Sequence, residues 1–232
     1  MRLEEIEEMR RLPLFDGVEA SHSEALLRDS FLQRFPPYVE LAREGDSADF
    51  LHVVVDGQVE VFSAYRDRET TVAVLDPGHS FIVAAVVLDR VYLKSARSLT
   101  AARVLLIPAA AVRRVFAADA AFARALAQEL AYAYRGIVKE LKNQKLRTGL
   151  ERLANWLLAR DAEVGSKGHF TLPFEKKILA SRLGVAPEVL SRSFASLVPY
   201  KVSVRGSRVE LGDIESLRTL AKPTPTIDDR HV

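Results

Sequence analysis

The sequence predicts an α+β chain in three parts: an N-terminal antiparallel β-barrel, one long helix, and a C-terminal helical unit closed by a β-hairpin. Three observations predict it. Between Val39 and Pro108 short β-rich runs alternate with turn signals. From Ala109 to Asn143 the chain is rich in Ala, Leu, Arg and Glu, with no proline and one glycine, Gly136. Two short helical stretches then meet at Gly184 and are followed by the β-rich segment KVSVRGSRVEL.

In the front part, Phe50 to Val55, Gln58 to Ala64 and Thr70 to Leu75 read as strands, punctuated by Gly45-Asp46, Asp56-Gly57 and Asp76-Pro77-Gly78. Asp-Gly tolerates the positive φ angles of a tight hairpin, so Asp56-Gly57 predicts one between the first two runs. Several short antiparallel strands at this spacing favour a small barrel or sandwich. In the long helical stretch, Phe122, Leu126, Leu130, Ala133, Ile137 and Leu141 recur at spacings of three and four and form one stripe. Such a stripe serves a domain core or a coiled-coil seam; the expectation here is a dimer seam. Thr148 to Glu163 is a further amphipathic helix, Phe170 to Leu172 a short strand, and Pro173 to Leu183 and Pro187 to Val198 a helix pair. The predicted boundaries are 1–118 for the barrel, 119–146 for the dimerisation helix, 147–220 for the C-terminal domain and 221–232 for a flexible Pro/Asp-containing tail.

Composition excludes several functions. The 232 residues include no cysteine, so disulfides, thiolate nucleophiles, cysteine-bound zinc and cysteine-held iron–sulfur clusters are excluded. No apolar run is long enough to span a bilayer and the acidic start MRLEEIEEMRR lacks a secretory core, which predicts a cytoplasmic protein. The net charge of +2 conceals an asymmetry: residues 1–141 carry a net −4 and residues 142–232 a net +6. A basic rear half suits a polyanion. No phosphate-cradling glycine loop, nucleophile elbow or pair of His ligands at helical spacing occurs, so an enzyme is not expected and no metal site is assigned.

The segment PFEKKILASRLGVAPEVLSRSFASL has the spacing of a helix-turn-helix, with a turn at Gly184-Val185 and Pro187 opening the second helix. Glu188, Ser191 and Arg192 share one face near that helix's N-terminal end. Arg192 can donate two hydrogen bonds to guanine, Glu188 can accept from the cytosine amino group, and Ser191 permits close approach. Lys176, Lys177, Arg182, Lys201, Arg205 and Arg208 surround them as candidate phosphate contacts. The hairpin with Arg205-Gly206-Ser207 at its tip is a natural wing.

Barrel, long helix and winged helix-turn-helix together resemble the Crp/Fnr family of bacterial transcription regulators, over about residues 10–215. The family's Gly-Asp, aromatic-aliphatic strand and Gly pattern is matched by Gly45-Asp46 through Phe50 to Gly57, and Glu188-Val189-Leu190-Ser191-Arg192 matches the Glu-x-x-Ser-Arg form of the Fnr branch. The resemblance implies a cyclic-nucleotide-binding-like front domain of double-stranded β-helix type. It also implies a homodimer on an inverted repeat of TTGAT-like half-sites in double-stranded DNA, and RNA polymerase as a partner. Two recognition helices then enter major grooves roughly 34 Å apart.

Departures from the family pattern bear on the signal. Cyclic-nucleotide-binding members have a Gly-Glu pair for the ribose and an Arg-Ser/Thr-Ala run for the phosphate. Here the stretch HSFIVAAVVLDRVYLKSARSL has no Gly-Glu, and Lys94-Ser95-Ala96 replaces the second motif. Three readings stay open. The first is a small effector, best matched by an aromatic acid such as a hydroxybenzoate, as in the similar aromatic-acid-responsive members. Its pocket would comprise His79, Phe81, Ile82, Val83, Val86, Tyr92, Lys94, Ser95 and Arg97, with Tyr132, Tyr134 and Arg135 closing it. The second is haem-based nitric oxide sensing, with His79 or His52 as ligand. The third is no effector, as in regulators of the FixK type.

Overall fold

The computed structural model describes residues 1–229. The chain divides into two compact units, Met1–Tyr134 and Arg135–Val232.

The first unit opens with helices α1 (Leu3–Met9) and α2 (Ala20–Arg28), and continues through strands β1 (Phe31–Phe35), β2 (Glu40–Ala42), β3 (Phe50–Asp56), β4 (Val59–Tyr65), β5 (Arg68–Leu75) and β6 (Ser80–Phe81). Helix α3 (Val83–Leu88), strands β7 (Ser95–Ser98) and β8 (Ala102–Pro108), helix α4 (Ala109–Ala118) and the long helix α5 (Ala120–Leu146) follow. The strands form two four-stranded antiparallel sheets, ordered β1-β8-β3-β6 and β2-β7-β4-β5. Leu51, Val53, Val59, Val61, Ala96, Val104, Leu105 and Ile107 from both sheets join Leu26, Leu27, Val112 and Val115 of α2 and α4 in one core. Leu51, His52, Val53 and Val54 are consecutive and all buried, so β3 is covered on both faces, with α3 and α4 packed against it.

Two local expectations change. Asp56-Gly57 does not close a hairpin: β3 pairs with β6 and β8, whereas β4 pairs with β5 and β7, so the turn carries the chain from one sheet to the other. Gly57 is required there, since its φ is +77° and a Cβ would stand 2.2 Å from the Ala101 carbonyl oxygen. The hairpin of this region is β4–β5, turned at Arg66-Asp67. Within the apolar run after Phe81, Val83 to Leu88 is a helix, entered at Ile82 and left at Asp89, both with positive φ. The helical stretch from Ala109 is broken at Asp119, whose Oδ1 accepts the amides of Ala121 and Phe122 and so caps α5, while Oδ2 accepts from Glu19 N and faces His22 Nδ1 at 2.9 Å.

The second unit contains the end of α5, then α6 (Gly149–Glu163), β9 (His169–Thr171), α7 (Lys176–Arg182), α8 (Pro187–Ser196), the hairpin β10 (Val202–Arg205) and β11 (Arg208–Leu211), α9 (Ile214–Ala221) and a single turn, α10 (Pro225–Asp228). A capping box of Thr148 and Glu151 starts α6. Strands β10-β11-β9 form an antiparallel sheet. Leu153, Leu157, Leu179, Leu190, Leu197, Val209 and Leu217 fill this unit's own core. The tail expectation is corrected up to residue 229: residues 225–228 are helical and Asp228 is ion-paired to Arg147. Residues 230–232 of the predicted tail lie outside the described residues.

Candidate nucleic-acid interface and effector region

The reading helix α8 is placed by the turn before it. Helix α7 ends in a Schellman arrangement: Gly184 N donates to Ser181 O and Val185 N to Ala180 O, with Gly184 at φ +62°. Pro187 then starts α8 at its first position. Leu190 and Leu197 are buried beneath the helix, which leaves Glu188, Ser191 and Arg192 together on the exposed side. The Arg192 side chain lies back along α8, its Nε 3.4 Å from the Glu188 carbonyl oxygen.

The surrounding cations are mixed. Lys176, Lys177 and Arg205 are exposed, with Lys176 Nζ 5.8 Å from the Phe194 ring. Arg182 is half-buried in the last turn of α7. Lys201 stands 3.8 Å from Asp213, and Arg208 pairs with Glu210 at 3.2 Å along the exposed face of β11. Gly206, at φ +61°, turns the wing tip between Arg205 and Arg208.

One side chain that organises this unit has no marker in the sequence. Arg152 is buried and, among the described residues, makes no hydrogen bond or ion pair to a carboxylate; its Nε donates to Leu183 O at 2.8 Å and its Nη1 to Arg147 O at 2.7 Å. It thus caps the C-terminal ends of both α7 and α5. Burial pulls its guanidinium below the ordinary value.

On α5 the six stripe residues separate. Phe122 and Leu126 are wholly buried in the first unit's core and Leu130 packs against it, so the first two cannot line a dimer seam. The physical reason is that one periodic stripe serves a core at its start and solvent at its end. Ala133 is exposed, as are Ile137 at 56% and Leu141 at 54%.

The predicted effector residues are not gathered in one pocket. Phe81, Val83, Val86 and Tyr92 are core residues, and Ile82 packs against that core. The Tyr92 hydroxyl donates to Phe50 O at 3.1 Å. His79 is an exposed turn residue whose Nδ1 faces Asp76 O at 3.1 Å. The Ser95 hydroxyl accepts from Glu44 N. Arg97 is already neutralised: its Nε donates to buried Glu60 at 2.7 Å and its Nη atoms to Glu69 at 3.1 and 2.6 Å, while its guanidinium covers the Phe62 ring. Cross-strand pairing of Glu60 with Arg97 produces this. Tyr132, Tyr134 and Arg135 are exposed on α5. Lys94 differs from all of these: it is half-buried, burial lowers its pKa, and it makes no ion pair among the described residues.

Neither histidine fits haem. His52 is 2% exposed, stacked on Phe81 with ring centroids 4.9 Å apart and edge-on to Tyr92, which fills the space a macrocycle needs. His79 sits in a solvated turn, not in an apolar wall.

No helix among the described residues is long and apolar enough to cross a membrane. Residues 32–119 match the cyclic nucleotide-binding domain family and residues 151–220 the Crp-like helix-turn-helix domain family. Among solved structures, a Ruegeria pomeroyi DSS-3 protein, provisionally named a cyclic nucleotide binding protein, is 27% identical, with TM-score 0.59, covering 96% of this chain and 100% of that one. FixK2 from Bradyrhizobium japonicum is 21% identical with TM-score 0.73, covering 84% and 98%. A CooA mutant from Carboxydothermus hydrogenoformans is 18% identical with TM-score 0.72, covering 84% and 89%. No curated protein matches the chain significantly. With a cyclic nucleotide-binding-type domain in front, a long helix and a Crp-like helix-turn-helix behind, the chain is a DNA-binding transcription regulator of the Crp/Fnr family.

Proposed function

We propose that the protein acts as a homodimer reading an inverted repeat of TTGAT-like half-sites. The observation that carries this reading is the exposed triad Glu188, Ser191 and Arg192 on the first turns of α8, flanked by exposed Lys176, Lys177 and Arg205. Glu188 and Arg192 read base edges; the lysines and Arg205 hold phosphates. The dimer is supported by the apolar face of α5 left outside the core: exposed Tyr134, Ile137 and Leu141, with half-buried Leu130 at the core's edge, follow the 4-3-4 spacing of a two-stranded seam. Tyr134 therefore moves from the predicted effector pocket to the seam.

The test is binding to a palindromic site and its single-base variants. Glu188→Ala relaxes specificity at one base pair per half-site. Lys176→Ala weakens all sites equally and reduces the salt slope by about one unit. Equal losses on every operator for both variants would overturn the roles.

For the signal, half-buried Lys94, without an ion pair among the described residues, supports a small organic carboxylate such as an aromatic acid, with RNA polymerase as the downstream partner. A second reading, a regulator without effector, is favoured by the engagement of Arg97 with Glu60 and Glu69. Thermal stabilisation by benzoate-type acids that disappears in Lys94→Met supports the first; no stabilisation by any acid supports the second.

A further inference from the structure

The short segment after α9 has a composition that predicts disorder, yet it is held at several points. Asp228 binds Arg147 through both carboxylate oxygens, at 2.7 Å to Nη1 and 2.6 Å to Nη2. The Arg147 side chain is only 7% exposed. Asp228 also accepts the Thr224 amide, which fixes the turn that presents it. Lys142 Nζ donates to the Thr226 hydroxyl at 2.8 Å, and Lys139 Nζ to the Asp229 carbonyl oxygen.

Two aspects of the placement are informative. Arg147 lies in the two-residue joint between α5, ending at Leu146, and α6, starting at Gly149. Its backbone carbonyl is already held by Arg152, so the joint is gripped by its carbonyl from the α6 side and by its side chain from the tail. At 3.6 residues per turn, Lys139 lies opposite Leu130, Tyr134, Ile137 and Leu141 on α5, and Lys142 lies on the flank between. The tail therefore leaves the proposed dimer seam open.

We infer that residues 222–229 are a strap that rigidifies the α5–α6 joint, so that the reading domain and the end of α5 from Arg135 move as one body. Because the joint is stiff, less freedom is lost when the reading domain docks on DNA, and affinity rises. This last consequence rests on the DNA reading above; the rigidification does not.

The experiment compares the full chain with a chain ending at Lys222 and with Asp228→Asn, using amide hydrogen exchange and operator binding. Trp156 fluorescence verifies that the second unit remains folded. Exchange at residues 144–148 is expected to accelerate about tenfold on truncation and a few-fold in Asp228→Asn. Operator affinity should fall about threefold or more in the truncated chain. Unchanged exchange at the joint in both folded variants would overturn the strap, whatever happens to DNA binding. Faster exchange with unchanged affinity for a bound operator would overturn its contribution to binding. Loss of every sequence preference in the full chain would count against the DNA reading and leave the exchange result standing.

Discussion

Acidification should destabilise the first unit through His52. Its imidazole is buried between Phe81 and Tyr92, Nδ1 has no hydrogen-bond partner among the described residues, and desolvation lowers its pKa from 6.5 to about 4. The unfolded chain therefore takes up the proton first. Stability from this group is complete above about pH 6.5 and is lost as pH falls toward 4. A shift of about 2.5 units corresponds to about 3 kcal/mol in all, of which about 2 kcal/mol is lost between pH 7 and pH 5. The assay is urea unfolding at both pH values, followed by far-UV circular dichroism for the strand-rich unit. Trp156, the single tryptophan, packs on Phe170 and Phe174 and reports the second unit separately. His52→Phe retains an aromatic stack without a titrating group and should flatten the pH dependence of the first transition only. If wild type and His52→Phe lose the same stability over this interval, the burial argument is refuted.

Other consequences can be tested more simply. Ile137→Glu places a charge in the proposed seam and should yield monomers by sedimentation at micromolar concentration, with operator binding lost, while Phe122→Ala should instead destabilise the first unit by about 3 kcal/mol. Arg152→Met removes donors from the carbonyls of Leu183 and Arg147 and should destabilise the second unit by about 2–4 kcal/mol, read from the Trp156 transition. Gly57→Ala forces a Cβ onto the Ala101 carbonyl at positive φ and should lower the first unit's stability by about 2 kcal/mol or more, with the second transition unmoved.

The helix-turn-helix was legible in the sequence because its determinants are local: Gly184 for the turn, Pro187 for the helix start and Glu188 to Arg192 on one face. What depended on distant partners was not legible. Asp56-Gly57 announces a turn, but turn chemistry does not say which sheet the next strand joins. Phe122 and Ile137 share one periodicity, and only the fold determines that one meets a core and the other solvent. Arg97 looked like a ligand's partner because the register that sets Glu60 beside it is set by strand pairing. Asp228 sits in a polar tail, and its partner Arg147 is 81 residues earlier.

Arg152 carries an evolutionary consequence. An ion pair leaves a trace in related sequences, because changing one partner demands a change in the other. A guanidinium bound to two main-chain carbonyls leaves no such trace, since residues 147 and 183 offer those oxygens whatever their side chains. Among relatives that keep this joint, position 152 should stay arginine with no covarying acidic partner, and pairwise covariation would miss the contact that holds the reading domain's two helix ends together.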